Sequence, residues 1–341
     1  MKIGHRAIGP GHRPYVIAEL GVNHDGRRDR ALELVDAAHA AGADAVKVQW
    51  FEADRLLSRA ARLAQYQHSG GARDPMAMLR ALELAPDVVA RIVHRAAGLG
   101  LGTIATLFSV EHVPAAVRCG FDAFKTASPD IVNRPLVEAL AATGRPLLVS
   151  TGAATMAEVD MVASWLGTHE HLLMHCVSAY PTPDAMASLA GRAAMCRVHP
   201  TALGYSDHTT AEDTGALAVA AGACILEKHL TLDNRAAGPD HAMSLNPAAF
   251  ERYVRLVHRA HRMLGPASKG VLRIERDVRE VSRQSVTARC ELPAGHVLES
   301  AELTIKRPGI GIAPWRLAET IGRRLARPVA ADMPLTDEDL A

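Results

Sequence analysis

Short apolar runs alternate along the chain with longer stretches whose apolar residues recur every three or four positions. The runs are 16–20, 45–50, 102–108, 123–128, 146–150, 172–176, 202–206 and 224–230, eight in all, and each has the length of a strand. Between the first two, Leu32, Val35, Ala38 and Ala41 fall near helical spacing across 30–41. Between the fifth and sixth, Thr155 and Glu158 open a helix over 155–166 with a capping-box pattern. Eight strand-then-helix units predict an α/β fold, a (β/α)8 barrel of the TIM type; a doubly wound open sheet is the alternative.

In such a barrel, reactive groups belong at the C-terminal ends of the strands. Those ends carry Glu19, Lys47 and Gln49, Thr106, Lys125 with Ser128 and Asp130, Ser150, Ser206 with Asp207 and His208, and Glu227 with His229; Tyr180 lies just beyond the sixth. Residues two apart on a strand share a face, so Lys47 and Gln49, Ser206 and His208, and Glu227 and His229 can each point into one mouth. Lys228 then points outward, to solvent or to an ion pair. Glu19 follows the apolar run Tyr15-Val16-Ile17-Ala18, where a carboxylate must be paired or hydrogen-bonded; a cap on the next helix is its plainer reading.

Lys47 and Lys125, with hydroxyls from Thr106, Ser128, Ser150 and Ser206, suit a small polyanion, the hydroxyls completing the oxygen shell of a phosphate or carboxylate. A neutralising ion pair with Glu19 or Glu227 is the alternative for either lysine. His208 and His229 end neighbouring strands, where neutral imidazoles can ligate a divalent metal; His175 is expected to pack or to support the site from behind. Asp240, in the loop "LDNRAAGPDHAMSLNP", could bind substrate hydroxyls or be an ordinary turn aspartate.

Charge and cysteine content narrow the class. With 38 basic and 37 acidic residues among 341, the formal charge is +1, which excludes the basic footprint of a nucleic-acid binder. The five cysteines, Cys119, Cys176, Cys196, Cys224 and Cys290, form no CxxC or zinc spacing and read as reduced thiols in a cytosol. The start "MKIGHRAIGPG" has no apolar signal core, and no uninterrupted run suits a membrane span, so a cytoplasmic, membrane-free protein is expected.

Beyond the last barrel helix the pattern changes. Residues 1–263 read as the barrel, 264–282 as a charged linker and 283–341 as a small module of short strands and turns. That module is marginal as an independent fold. Arg307, in "KRPGIG", is held by Pro308 and Gly309 and could present its guanidinium to a ligand; simple solvation is the alternative.

In order along the chain, "IAELGVNHDG", "AGADAVKVQWF", "AFKTASPD", "LLVSTG", "HCVSAYPTP", "LGYSDHT", "LEKHLT", "GPDHAMSL" and "IKRPGIGI" resemble the N-acetylneuraminate (sialic acid) synthases and related nonulosonic acid synthases, including those for legionaminic acid. The resemblance implies a TIM barrel followed by an antifreeze-like SAF domain, in a domain-swapped homodimer whose small domain covers the partner's barrel mouth. It implies condensation of phosphoenolpyruvate with the open-chain aldehyde of an N-acylated amino sugar, with Mn2+ or Mg2+ as cofactor. Carried onto this sequence, Lys47, Thr106, Lys125, Ser128, Ser150, Ser178 and Ser206 would hold phosphoenolpyruvate, and His208 and His229 the metal. Glu19 and Glu227 would be catalytic carboxylates, and Gln49, Phe108, Asp130, Tyr180, Asp240 and Arg307 the sugar contacts.

The sequence departs from the family pattern at three places. Leu107 stands where family members commonly have Pro, Ser178 where they have Asn, and Asp130 where the commonest acid is Glu. These bear on substrate identity more than on reaction type. The segment "LAQYQHSGG" resembles the legionaminate branch. Two rival functions are a Kdo-phosphate or DAHP synthase, which needs a further basic cluster for a second phosphate, and a non-enzymatic sugar- or ice-binding protein, which needs no buried lysine, glutamate and histidine ring.

Overall fold

The structure, a computed structural model, describes residues 1–63, 73–201 and 203–341. Most of "LAQYQHSGG" and the first residue of the predicted seventh run, Ala202, lie outside the described residues. The chain forms two compact units, 1–265 and 266–341.

The larger unit is a closed barrel of eight parallel strands: β1 (Tyr15–Gly21), β2 (Ala45–Trp50), β3 (Gly102–Leu107), β4 (Ala123–Thr126), β5 (Leu147–Ser150), β6 (His171–Cys176), β7 (Gly204–Asp207) and β8 (Ile225–His229), with β8 closing on β1. The open-sheet alternative is thereby excluded. The strands are buried on both faces, as parallel strands covered by helices must be. Inward residues Ile17, Ala45, Ile104, Ala123, Leu148, Leu172 and Ile225 fill the lower lumen. The other face packs on surrounding helices, among them α1 (Arg28–Ala40), α2 (Pro86–Gly98), α3 (Met156–Leu166), α4 (Thr214–Ala220) and α5 (Pro247–Leu264).

Local signals held at the helix starts. The capping box at α3 forms in both directions, Thr155 Oγ1 accepting from Glu158 N–H and Glu158 accepting from Thr155 N–H at 2.7 Å. On α1 the buried stripe is Ala31, Leu34, Val35 and Ala38, so Leu32, expected on it, lies at its margin. Strand β4 stops at Thr126, and Ser128–Val132 turns as a 3-10 helix, ending this strand two residues sooner than expected.

The smaller unit has its own core of Val286, Ala288, Leu292, Leu298, Leu303, Ile312, Leu325, Val329 and Leu335 around the antiparallel pair β9 (Ser285–Ala288) and β10 (Leu303–Lys306). Residues 276–282, read as linker from sequence, form a short helix in this unit. Arg307 is exposed just past β10. Among the described residues no helix is long and apolar enough to cross a membrane.

Candidate active site

Strand register builds the mouth of the barrel. Glu19 lies opposite His229 on one side and Lys47 on the other, Gln49 opposite Thr106, Thr106 opposite Lys125, and Ser206 opposite Glu227. A bulge between Glu19 and Gly21 ends β1, and Gly21 adopts φ of 50°. A Cβ there would stand 3.0 Å from Glu19 Oε1 and 3.4 Å from Asp240 Oδ2, so glycine leaves both carboxylates room.

These residues surround a cavity of about 340 Å³, the size of a small-ligand site. Lys47, Lys125 and Glu227 line it, and Glu19 stands off the wall, fully buried against Lys47 and Gln49. Lys47 Nζ lies 2.6 Å from Glu19 Oε2 and donates to Thr106 Oγ1 at 2.8 Å; Lys125 Nζ lies 3.3 Å from Glu227 Oε1 and donates to Ser150 Oγ at 2.6 Å. Gln49 Nε2 donates to Glu19 Oε1 at 3.0 Å, and Ser206 donates to Glu227 Oε1 at 3.1 Å. Glu19 therefore caps no helix: it is fully buried and paired. Each lysine is both ion-paired, as the alternative reading had it, and part of the cavity wall.

Burial raises the Glu19 carboxyl above the usual range, with Lys47 pulling it down and Glu227 pushing it up. Burial acts to raise Glu227 too, but Lys125 and Lys47 outweigh it and hold this group low. For Lys47, burial opposes the charge, and the two glutamates more than restore it. With its ammonium 2.6 Å from Glu19, the ionised pair is the state the geometry fits. Glu227 Oε2 is buried without a hydrogen-bond partner, so the charges are balanced while donor demand remains.

Ser128, Ser150, Thr106, Ser206, Tyr180, Phe108, Gln49, His208, His229 and Asp240 all line the cavity. Ser178 is not on the wall; it stands behind Gly152, with Ser128 and Cys176. Asp130 is also absent from the wall, because the 3-10 turn after β4 carries it away, and its half-buried carboxyl is raised to about 6 by burial. His175 sits outside the lumen with Nε2 2.9 Å from Ser188 O. Lys228 does point outward, yet it is buried, 3.0 Å from Asp207 and donating to Thr209 O at 2.6 Å; an ion pair, not solvation, is its fate.

Sequence reasoning missed two features of the cavity. Phe51, Leu56, Met78, Leu79 and Leu82 build an apolar wall, much of it from the helix Pro75–Ala81, which Asp74 caps. The capped run "DPMAMLRAL" carried that signal. Cys176, set aside as a plain thiol, lies 3.2 Å from Ser128 Oγ, whose oxygen also accepts from Gly152 N–H. A Cβ at Gly152 would meet Ser178 Oγ at 2.3 Å, Ser128 Oγ at 2.7 Å and Cys176 Sγ at 2.8 Å. Gly152→Ala should therefore keep the fold but raise the KM of the anionic substrate about tenfold, measured by steady-state phosphate release against a thermal melt. An unchanged KM would show that the cradle is not used.

The residues also suit a divalent metal. His208 Nδ1 lies 2.7 Å from Val177 O, which fixes that ring, and burial lowers its pKa to about 4; burial and neighbouring charges hold His229 well below the usual range. Both imidazoles are thus neutral, their ring centres 5.7 Å apart, and His229 Nδ1 is buried with no hydrogen-bond partner, 3.5 Å from Asp240 Oδ2. Among the described residues no group of three or more His, Cys, Asp or Glu gathers as a metal cage. Two nitrogen donors beside a carboxylate fit an ion that keeps positions open for water and substrate. Burial, with repulsion from Glu19, raises Asp240 to about 7.

A closed parallel barrel with buried lysines, glutamates and neutral imidazoles at its C-terminal mouth defines an enzyme that handles a small anion. The model of the NeuB family matches residues 34–269 and that of the SAF domain residues 283–341. The chain belongs to the NeuB family, and is an enzyme that condenses two substrates through a new carbon–carbon bond. It is 34% identical to N,N'-diacetyllegionaminic acid synthase of Legionella pneumophila, over 96% of this chain and 94% of that protein. It is 31% identical to the human N-acetylneuraminate-9-phosphate synthase, over 98% and 94% respectively. The crystal structure of a sialic acid synthetase from Leptospira borgpetersenii, in complex with citrate, superposes with a TM-score of 0.75 at 28% identity, covering 82% of this chain and 94% of that one.

Proposed function

We propose that the chain condenses phosphoenolpyruvate with the open-chain aldehyde of an N-acylated amino sugar, N-acetylmannosamine or a 2,4-diacetamido-6-deoxy hexose, to give a nonulosonic acid and phosphate. The observation that carries this is the pair of buried lysines, each donating to a hydroxyl on the wall of one cavity. A phosphate and a carboxylate on a three-carbon donor match two ammonium groups and a ring of hydroxyls.

In this reading Lys47, Lys125, Thr106, Ser128, Ser150 and Ser206 bind and orient the donor, with Ser178 behind them. C3 of the enol phosphate bonds to the aldehyde carbon, whose oxygen takes a proton; water adds at C2 and loses its proton, and the bond from C2 to the phosphate oxygen breaks to leave the 2-keto group and phosphate. The fixed negative charges of Glu19 and Glu227 favour the positive charge that develops at C2. Gln49, Phe108, Tyr180 and Asp240 face the acceptor; Asp130 reaches it only if its turn moves. A Mn2+ or Mg2+ ion held by His208 and His229 would supply Lewis-acid polarisation of the acceptor carbonyl. Arg307 reaches the acceptor from the partner subunit of a homodimer. A doubly phosphorylated substrate pair, as in the Kdo-phosphate or DAHP reaction, is disfavoured because Arg62 is the one other cation on the described wall of the cavity.

The test is an acceptor panel, N-acetylmannosamine against 2,4-diacetamido-6-deoxy sugars, with phosphate release and product mass measured. Phosphate release without a carbon–carbon product, or none with any acceptor, would overturn the reading. Lys47→Met and Lys125→Met should each raise the phosphoenolpyruvate KM some 10- to 100-fold, since a charge-assisted contact contributes about 1.5 to 3 kcal/mol. A change confined to the sugar KM would move the anion site elsewhere.

A further inference from the structure

The stretch Asn23-His24-Asp25-Gly26 after β1 and the loop after β8 carry polar side chains that neither the anion cradle nor the cavity wall uses. Asn23 is fully buried, and its amide donates to Leu230 O at 2.9 Å and to Ser244 Oγ at 2.8 Å. The Ser244 hydroxyl in turn donates to the main-chain oxygen of Asp240 at 2.5 Å. His241, the next residue, is buried and held at both ring nitrogens, Nε2 3.0 Å from Asp25 Oδ1 and Nδ1 2.7 Å from Thr231 Oγ1. Asp25 has φ of 52° and is itself paired with Arg30 on α1. A Cβ at Gly238 would stand 2.7 Å from the His241 ring, so the loop closes directly on that ring.

We propose that these bonds form a latch that positions Asp240 in the active site, which makes Asn23, Asp25, Thr231 and His241 positioning residues for the reaction. The inference rests on the reading of Asp240 as an acceptor contact. A backbone bridge between Leu230 and Leu245 ties the ends of the loop, and between them the 3-10 turn His241–Met243 is its one regular element. The carboxylate the loop delivers is buried on the cavity wall, 3.5 Å from His229 Nδ1. A group in such a place stays only if its backbone is fixed from outside. One arm of the latch grips the Asp240 carbonyl and the other grips the His241 side chain, so the peptide unit between Asp240 and His241 is held at both ends.

Thr231→Val preserves shape and removes the hydroxyl that His241 meets, Asp25→Ala releases the other nitrogen at a partly exposed position, and Thr231→Ser keeps the hydroxyl. With N-acetylmannosamine or the best sugar of the acceptor panel, the first two should raise the acceptor KM about fivefold or more while the phosphoenolpyruvate KM stays within about twofold, and Thr231→Ser should match the parent. Acceptor and donor constants that shift together, constants that do not shift, or a serine variant as impaired as the valine one would overturn the latch. A crystal structure of Thr231→Val reads the same point without turnover and so separates this inference from the assigned reaction. The Asp240 carboxylate displaced from His229 supports the latch, and the carboxylate in place overturns it whatever the wild-type enzyme proves to catalyse.

Discussion

His229→Ala should abolish metal-dependent turnover, lowering kcat/KM by at least about a hundredfold, while the melting temperature stays within a few degrees of the parent. The ring is buried at the rim of the cavity, and it is neutral because burial and the charges of Lys47 and Lys125 oppose an imidazolium. Its removal takes away one of two nitrogen donors and leaves the four-residue charge cluster of Lys47, Lys125, Glu19 and Glu227 intact. His208→Ala should behave alike, because its ring is pinned by Val177 O and offers the second donor. Isothermal titration with Mn2+ alone gives a readout free of catalysis: heat of binding should vanish in both variants. Full activity in a chelator-treated and metal-restored variant would remove the histidines from the mechanism.

Mixing two dead proteins should restore activity if Arg307 serves the partner's barrel. Arg307→Ala keeps a good barrel, and His229→Ala keeps a good guanidinium; a mixed dimer then contains one complete site. After subunit exchange at equal amounts, about a quarter of parental activity is expected, since half the dimers are mixed and each has one of its two sites whole. Arg307 is exposed beside Pro308 at the end of β10, on the unit with its own core, so its loss should not unfold either unit. Verified exchange with no recovery would mean that the arginine acts in its own chain or not at all. Deleting 283–341 should also cut activity severely, with the barrel core still folded by circular dichroism.

Much of the candidate site was readable because barrel strands have a period of two and a fixed polarity. The pairs Lys47 and Gln49, and Glu227 and His229, do line one cavity, as their spacing required. Parity also sent Lys228 to the opposite face. What covers that face was not readable: α5 brings the Tyr253 ring 5.5 Å from the Lys228 ammonium, and Asp207 supplies the counter-charge. Both faces of a parallel barrel strand are buried, so alternation tells which face a residue takes and not whether water reaches it. The placing of Asp130 was not readable either: the chain turns after Thr126, and Asp130 lies in the 3-10 turn that follows, off the cavity wall.

The sequence by itself determined the eight-stranded barrel, the end of it at which the ionisable and hydroxyl side chains gather, and their types, because periodicity, polarity and strand-end position are local properties. Tertiary structure alone decided the pairings: Glu19 with Lys47 and Gln49, Lys125 with Glu227, and Asn23 and Asp25 with a loop more than two hundred residues away. It also decided that the helix Pro75–Ala81 would face the cavity with Met78 and Leu79. The physical reason is common to all of these. A side chain's partner is set by strand register, barrel closure and loop packing, which bring distant segments within bonding distance, and no spacing within one segment encodes those distances.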